Sequence, residues 1–143
     1  MYYINKQLSN FSAAHRLTKN YQGKCRNLHG HDYAVEVTLA TAKLNEYGFV
    51  IDFFEIKNLL DSWVQNNLDH VTIISADDSA LHGFLTENSQ ALYILPGNVN
   101  TTVENISKHL FDIFNNLLVA HHDVSLIEVS VSETKTAKAI YKK

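Results

Sequence analysis

One cysteine, one proline and five glycines in 143 residues leave little room for several familiar kinds of protein. A lone thiol, Cys25, excludes an internal disulfide, so a reducing compartment is expected and a free thiol is left to be explained. So few glycines and prolines exclude collagen-like and low-complexity chains. Positive charge is scarce too: 12 Lys and Arg against 15 Asp and Glu give a net charge of -3. That balance argues against a broad basic surface for nucleic acid and confines any anion site to a local pocket. No apolar run approaches the roughly 20 residues that cross a bilayer, so no membrane partner is expected. Met1 to Phe11 also lacks the basic start and apolar run of a secretory signal, and a cytoplasmic location is expected.

What is present is an ordinary globular composition, 45% hydrophobic and 19% charged, at a length that suits one domain over residues 1–143. Residues 2–12 read as a strand whose alternation is uneven. Residues 33–41 alternate cleanly, with Tyr33, Val35, Val37 and Leu39 set against Ala34, Glu36, Thr38 and Ala40. Between these strands, His15 to Gly30 has no periodicity and forms a long loop of the kind that carries function. A turn at 45–48 and a short strand at 49–51 lead into Asp52, which suits the N-cap of a helix reaching about Asn66. Ile56, Leu59, Leu60 and Trp63 share the buried face of that helix. Residues 75–100 carry the weakest pattern: a polar segment at 75–79, a short helix near 81–88 and an extended stretch at 91–95. Thr101 or Thr102 caps a second helix from Val103 to about Ala120, with Ile106, Leu110, Ile113, Phe114 and Leu117 facing inward. Strands at 123–133 and 138–141, joined through Thr134 to Ala137, close the chain. The order ββααββ predicts an α+β fold with a four-stranded antiparallel sheet.

Eight histidines are the compositional excess, and three of them have a suggestive placement. In an extended segment His29 and His31 point to the same side, with Gly30 leaving the other side clear. His15 reaches the same place if its strand pairs with the Tyr33 strand as an antiparallel hairpin. Three neutral imidazoles with one open position are the usual ligand set of a catalytic zinc, because a structural zinc fills all four positions with protein groups. A His-x-His pair taken alone is equally the mark of exposed or hydrogen-bonded histidines. Cys25, four residues before His29, adds a soft nucleophile beside the expected cation. His82, His109, His121 and His122 receive no role.

Phe11-Ser12-Ala13-Ala14-His15, followed by Cys25-x3-His29-Gly30-His31-Asp32-Tyr33, resembles the 6-pyruvoyl-tetrahydropterin synthase superfamily. Val50-Ile51-Asp52-Phe53, Leu68-Asp69-His70, Thr102-Val103-Glu104-Asn105 and Glu133-Thr134 with Ala139-x-Tyr141 fall in the same order, so the resemblance covers nearly the whole chain. The three-residue spacer between Cys25 and His29 is similar to that of the 6-carboxy-tetrahydropterin synthase branch, which serves queuosine biosynthesis. The pyruvoyl-forming branch has a longer spacer, and a branch with glutamate in place of the cysteine is disfavoured by Cys25. Two departures stand out: Thr101 where proline is frequent, and a 75–100 stretch longer than in compact members. Neither is expected to touch the metal.

The resemblance implies a tunnelling fold, with two helices on one face of the sheet, assembled as a homohexamer of two trimers with sites at subunit interfaces. It implies zinc on His15, His29 and His31, and 7,8-dihydroneopterin triphosphate as the small-molecule substrate. Cys25 would then be a proton-transfer base, since a nearby cation favours the thiolate. Asp69 and His70 would form a second proton carrier, the carboxylate orienting the imidazole. Glu133 would bind the pterin through two parallel hydrogen bonds. Glu104 would contact that pair or the substrate, or else serve only the first turn of its helix. Arg16, Lys24 and Arg26 lie where a triphosphate could be met. The expected activity is 6-carboxytetrahydropterin synthesis. Its rivals are 6-pyruvoyl-tetrahydropterin synthesis and a metal- or pterin-binding protein without turnover.

Overall fold

The computed structural model describes residues 1–143. The N-terminal stretch expected as one strand is two, β1 (Tyr2–Gln7) and β2 (Phe11–His15), both antiparallel to the long β3 (His29–Thr41). Gln7 pairs with Glu36 and Phe11 with Tyr33, so residues 8–10 oppose only residues 34 and 35. This is a β-bulge with one extra residue, and it explains the uneven alternation of the sequence. Even-numbered residues such as Ile4 face the core before it, and odd-numbered Phe11, Ala13 and His15 face it afterwards. The polar groups freed at the bulge are satisfied, with Ser9 N and Oγ donating to Asp61 at 2.8 and 2.9 Å.

The sheet is larger and more mixed than expected. β6 (Ser125–Thr134) pairs antiparallel with β3, and β7 (Ala137–Lys142) with β6, while β4 (Val71–Ser75) and β5 (Leu92–Leu95) add in parallel beyond β2. The seven strands follow the order β5-β4-β2-β3-β6-β7, with β1 alongside β3. The four-stranded antiparallel sheet is therefore corrected. Strand β4 left no alternating signal because it is covered on both faces: Ile73 joins the main core and Ile74 a separate cluster with Leu81 and Leu85. The short strand expected at 49–51 does not form. Asn45 instead closes a turn, its Oδ1 accepting from Tyr47 N and Phe49 N, and Val50 and Ile51 are buried without strand partners.

Asp52 does cap a helix, accepting from Phe54 N at 2.8 Å. The helix runs as α1 (Phe53–Ile56), a π-helical segment at Lys57–Asp61 and α2 (Ser62–Asn67). The wider turn keeps Ile56, Leu60 and Val64 fully buried and leaves Leu59 and Trp63 at the margin. A third helix, α3 (Ser79–Glu87), packs Leu81 and Leu85 on Ile74, away from the main core. The last, α4 (Val103–Leu117), is capped by Thr102 and ends three residues before the expected boundary. It buries Ile106, Leu110, Phe111 and Phe114 against the sheet, each worth about 2 kcal/mol by area removed from water. The two long helices cover the main-core face, and α3, which matches the short helix expected near 81–88, lies on the other.

Candidate metal centre and surrounding site

The bulge sets the site. His15 lies opposite His29, and Ala13 opposite His31, so all three imidazoles share the helix-covered face at its open end. Their ligand atoms lie within 4.8 Å of one another, with ring centroids 4.7 to 5.2 Å apart. The close approach of the two strands depends on Gly30, where a Cβ would stand 3.2 Å from the Ala13 carbonyl oxygen. His15 is 2% exposed, and its Nδ1 donates to the Thr101 carbonyl at 2.6 Å. His29 Nδ1 donates to the Asn27 carbonyl at 2.7 Å. A carbonyl only accepts, so both Nδ1 atoms carry the proton and both Nε2 atoms present a lone pair.

The Nε2 atoms of His15, His29 and His31 are all buried without a hydrogen-bond partner. Leaving such an atom unpaired costs about 1–3 kcal/mol, so three converging on one point fit a shared cation. Burial pushes the His15 imidazole down to about 4, with smaller contributions from the other two rings, and keeps it in the neutral, ligating form. Three imidazoles suit a divalent transition metal.

Glu133, from the end of β6, stands beside them. Its Oε1 is 3.5 Å from His15 Nε2 and its Oε2 is 3.7 Å from His31 Nε2. Tyr33 sits in the same layer, fully buried, stacked on Phe11 with centroids 4.9 Å apart and edge-on to His15 and His31. Burial and then the Glu133 charge hold its phenol well above the usual range. Sequence reasoning took Tyr33 for core and expected only that Thr101 would not touch the metal. The Thr101 carbonyl orients His15, one of the three histidines, and only the approach of β2 to the start of α4, distant in sequence, reveals it.

Cys25 lies on a 3-10 turn, Lys24–Arg26, in the loop between β2 and β3. Its carbonyl accepts from Leu17 N at 2.8 Å, and a hydrogen bond to it raises the Tyr21 phenol pKa. A Cβ on Gly23 would collide with the Tyr21 ring, which ties the turn together. The long 75–100 stretch braces this loop. Arg16 makes a bidentate pair with Asp78 at 2.7 and 2.8 Å, Lys19 pairs with Asp77, and Asn100 Oδ1 accepts from Thr18 N and Lys19 N. Arg16 is therefore engaged by Asp78 in the free chain.

Asp69 and His70 form the expected pair, with Oδ2 accepting from Nδ1 at 2.7 Å. Ser12 N donates to Asp69 Oδ1 at 2.9 Å, which with His70 holds the carboxyl below its usual range. His70 adopts φ 62°, a costly conformation for a residue with a Cβ, and its N–H donates to Ser12 O at 2.7 Å. Yet His70 is 82% exposed and lines an open hollow with Ser12, Ala14, Gly30 and Asp32, whose side of the sheet is opposite the three imidazoles, although His31 also borders the hollow. Glu104 is exposed in the first turn of α4, and Ser107 Oγ engages only its backbone carbonyl. The chain by itself thus joins His15, His29, His31 and Glu133, and leaves Asp69, His70 and Glu104 apart from them.

A family model described as 6-pyruvoyl tetrahydropterin synthase matches residues 3–143. The 6-carboxy-5,6,7,8-tetrahydropterin synthase of Rickettsia conorii is 40% identical over 115 residues, 78% of this chain and 80% of that protein. The protein of the same name from Aquifex aeolicus is 34% identical over 124 residues, 83% of this chain and 76% of that one. A crystal structure of a Wolinella succinogenes protein superimposes with a TM-score of 0.84 at 21% identity, covering 99% of this chain and 98% of that one, and so shares the fold. With its profile matched almost end to end and its histidines gathered as above, this chain belongs to the 6-pyruvoyl tetrahydropterin synthase family.

Proposed function

We propose that this protein is a zinc-dependent 6-carboxytetrahydropterin synthase, converting 7,8-dihydroneopterin triphosphate and water to 6-carboxy-5,6,7,8-tetrahydropterin, acetaldehyde and triphosphate. The observation that carries the reading is the set of three unpartnered Nε2 atoms beside Glu133, in a chain 40% identical to a protein named for that activity. His15, His29 and His31 would hold the zinc, their Nδ1 protons committed to backbone carbonyls for the first two. Bound there, zinc would act as a Lewis acid on the side-chain oxygens of the substrate.

The remaining steps belong to side chains. Glu133 accepts two parallel hydrogen bonds from the pterin amino group and the adjacent ring N–H, which orients the side chain toward the histidines. Cys25 removes a proton from that side chain, and the Asp69–His70 pair carries a proton at the other side of the reacting carbons. Asp69 is suited to this because its anionic form is held by Ser12 and His70. In one chain the pair faces away from the histidines, so a neighbouring copy completes each site, in a ring of six with paired sheet edges. The physiological setting would be queuosine biosynthesis in the cytoplasm.

The deciding experiment is incubation of zinc-loaded protein with 7,8-dihydroneopterin triphosphate, followed by mass spectrometry of pterins and acetaldehyde. Carboxypterin with acetaldehyde is the expected outcome. A retained three-carbon side chain would move the protein to pyruvoyl formation, and zinc binding with no turnover would leave a metal- or pterin-binding protein.

A further inference from the structure

Four buried side-chain polar atoms lack a hydrogen-bond partner: the three histidine Nε2 atoms and the Tyr33 hydroxyl. The histidines are accounted for by a cation, and Tyr33 is not. An unpaired buried hydroxyl costs about 1–3 kcal/mol, and phenylalanine would avoid that cost with the same ring. The stacked neighbour on β2, Phe11, is such a ring. Nor is Tyr33 free to turn elsewhere, since its ring lies 12° from parallel to Phe11 and edge-on to His15 at 5.9 Å and His31 at 5.4 Å.

Across the sheet, Ala34 pairs with Ser132. One residue further along each strand stand Tyr33 and Glu133, both on the face of the histidines. A carboxylate offers about four acceptor sites. Two parallel N–H groups of a pterin ring take one site on each oxygen and leave one on each oxygen open. We propose that Tyr33 is a positioning residue for Glu133, its hydroxyl donating to a carboxylate oxygen and fixing the carboxylate plane when a pterin ring is bound. The inference rests on the pterin reading above. The hydroxyl is a cost in the free protein that ligand binding recovers, a trade of stability for function.

The test is a double-mutant cycle of Tyr33→Phe, Glu133→Ala and both together, in zinc-loaded protein titrated with biopterin by fluorescence. Tyr33→Phe is expected to bind biopterin about tenfold more weakly than wild type, and the double variant no more weakly than Glu133→Ala. Zinc content should stay at the wild-type level in all variants, and Tyr33→Phe alone should unfold at the wild-type temperature or above. Affinity unchanged in Tyr33→Phe, or reduced equally in both Glu133 backgrounds, overturns the assignment. Wild-type protein that holds zinc but not biopterin overturns the pterin reading and Tyr33's role with it. The two failures are told apart by whether the wild type binds.

Discussion

At the scale of single residues, the centre depends on which atom of each imidazole is occupied. His15 Nδ1 is held by a backbone carbonyl at 2.6 Å and only weakly by the Thr101 hydroxyl at 3.2 Å. Thr101→Ala keeps the carbonyl, so zinc affinity measured by competitive chelation is expected to change less than threefold. Loss of the carbonyl itself would cost roughly 10- to 100-fold. The lost hydroxyl contacts should reduce unfolding free energy by about 1 kcal/mol. Cys25→Ala is expected to abolish turnover while zinc content stays at the wild-type level, and full activity in that variant would remove Cys25 from the mechanism. His15, His29, His31 and Cys25 were legible as candidates because motif spacing is local. Thr101 and Tyr33 were not, because a buried hydroxyl or a carbonyl has no signature until its neighbours from other strands are in place.

At the scale of elements, the ligand loop is braced from the start of α3 and from Asn100, ahead of α4. Asp78 is 7% exposed and does two jobs, capping α3 through Leu81 N and pairing with Arg16. Asp78→Ala is expected to lower urea-unfolding stability by about 2 kcal/mol, since it removes both the α3 cap and the bidentate pair with Arg16. The double variant with Arg16→Ala should lose less than the sum of the two single losses. A second junction joins α2, β5 and α4: Tyr93 Oη and His109 Nε2 share a hydrogen bond of 2.7 Å, with Trp63 edge-on to both rings. Burial lowers the His109 pKa below its ordinary 6.5. The unfolded chain therefore takes up a proton first as pH falls below 6.5, and stability is lost until the folded pKa is passed. Unfolding followed by Trp63 fluorescence should show the advantage of wild type over His109→Gln shrinking from pH 7.5 to pH 5.5. A constant advantage would show that His109 is not the group responsible. The long helices were readable from their 3.6-residue period and β5 as an extended stretch at 91–95, but β4 was not, since a strand of 5 residues covered on both faces shows no alternation.

The whole molecule ends its mixed sheet on strands with one open edge each, β5 at one side and β7 at the other. Open edges of this sort invite pairing with a further copy, and under the proposed mechanism the separation of Asp69–His70 from the histidines would give such an assembly a chemical purpose. Sedimentation at micromolar concentration is expected to give a mass several times the 16.2 kDa of the chain. Activity should fall on dilution below the assembly range, more steeply than enzyme concentration alone requires. A monomer with full activity would exclude a shared site.

By itself the sequence determined the cast: three histidines spaced for one cation, a thiol near them, an aspartate-histidine pair, and two amphipathic helices with their caps. Each of these is written within a few residues, where spacing and period act directly. Tertiary structure alone decided how they meet. One extra residue at 8–10 reverses the parity of β2 and turns His15 toward His29. Thr101, 86 positions from His15, becomes its hydrogen-bond partner, Arg16 is claimed by Asp78, and Tyr33 comes to lie across from Glu133. Such pairings follow from strand register and packing, which depend on the whole chain at once.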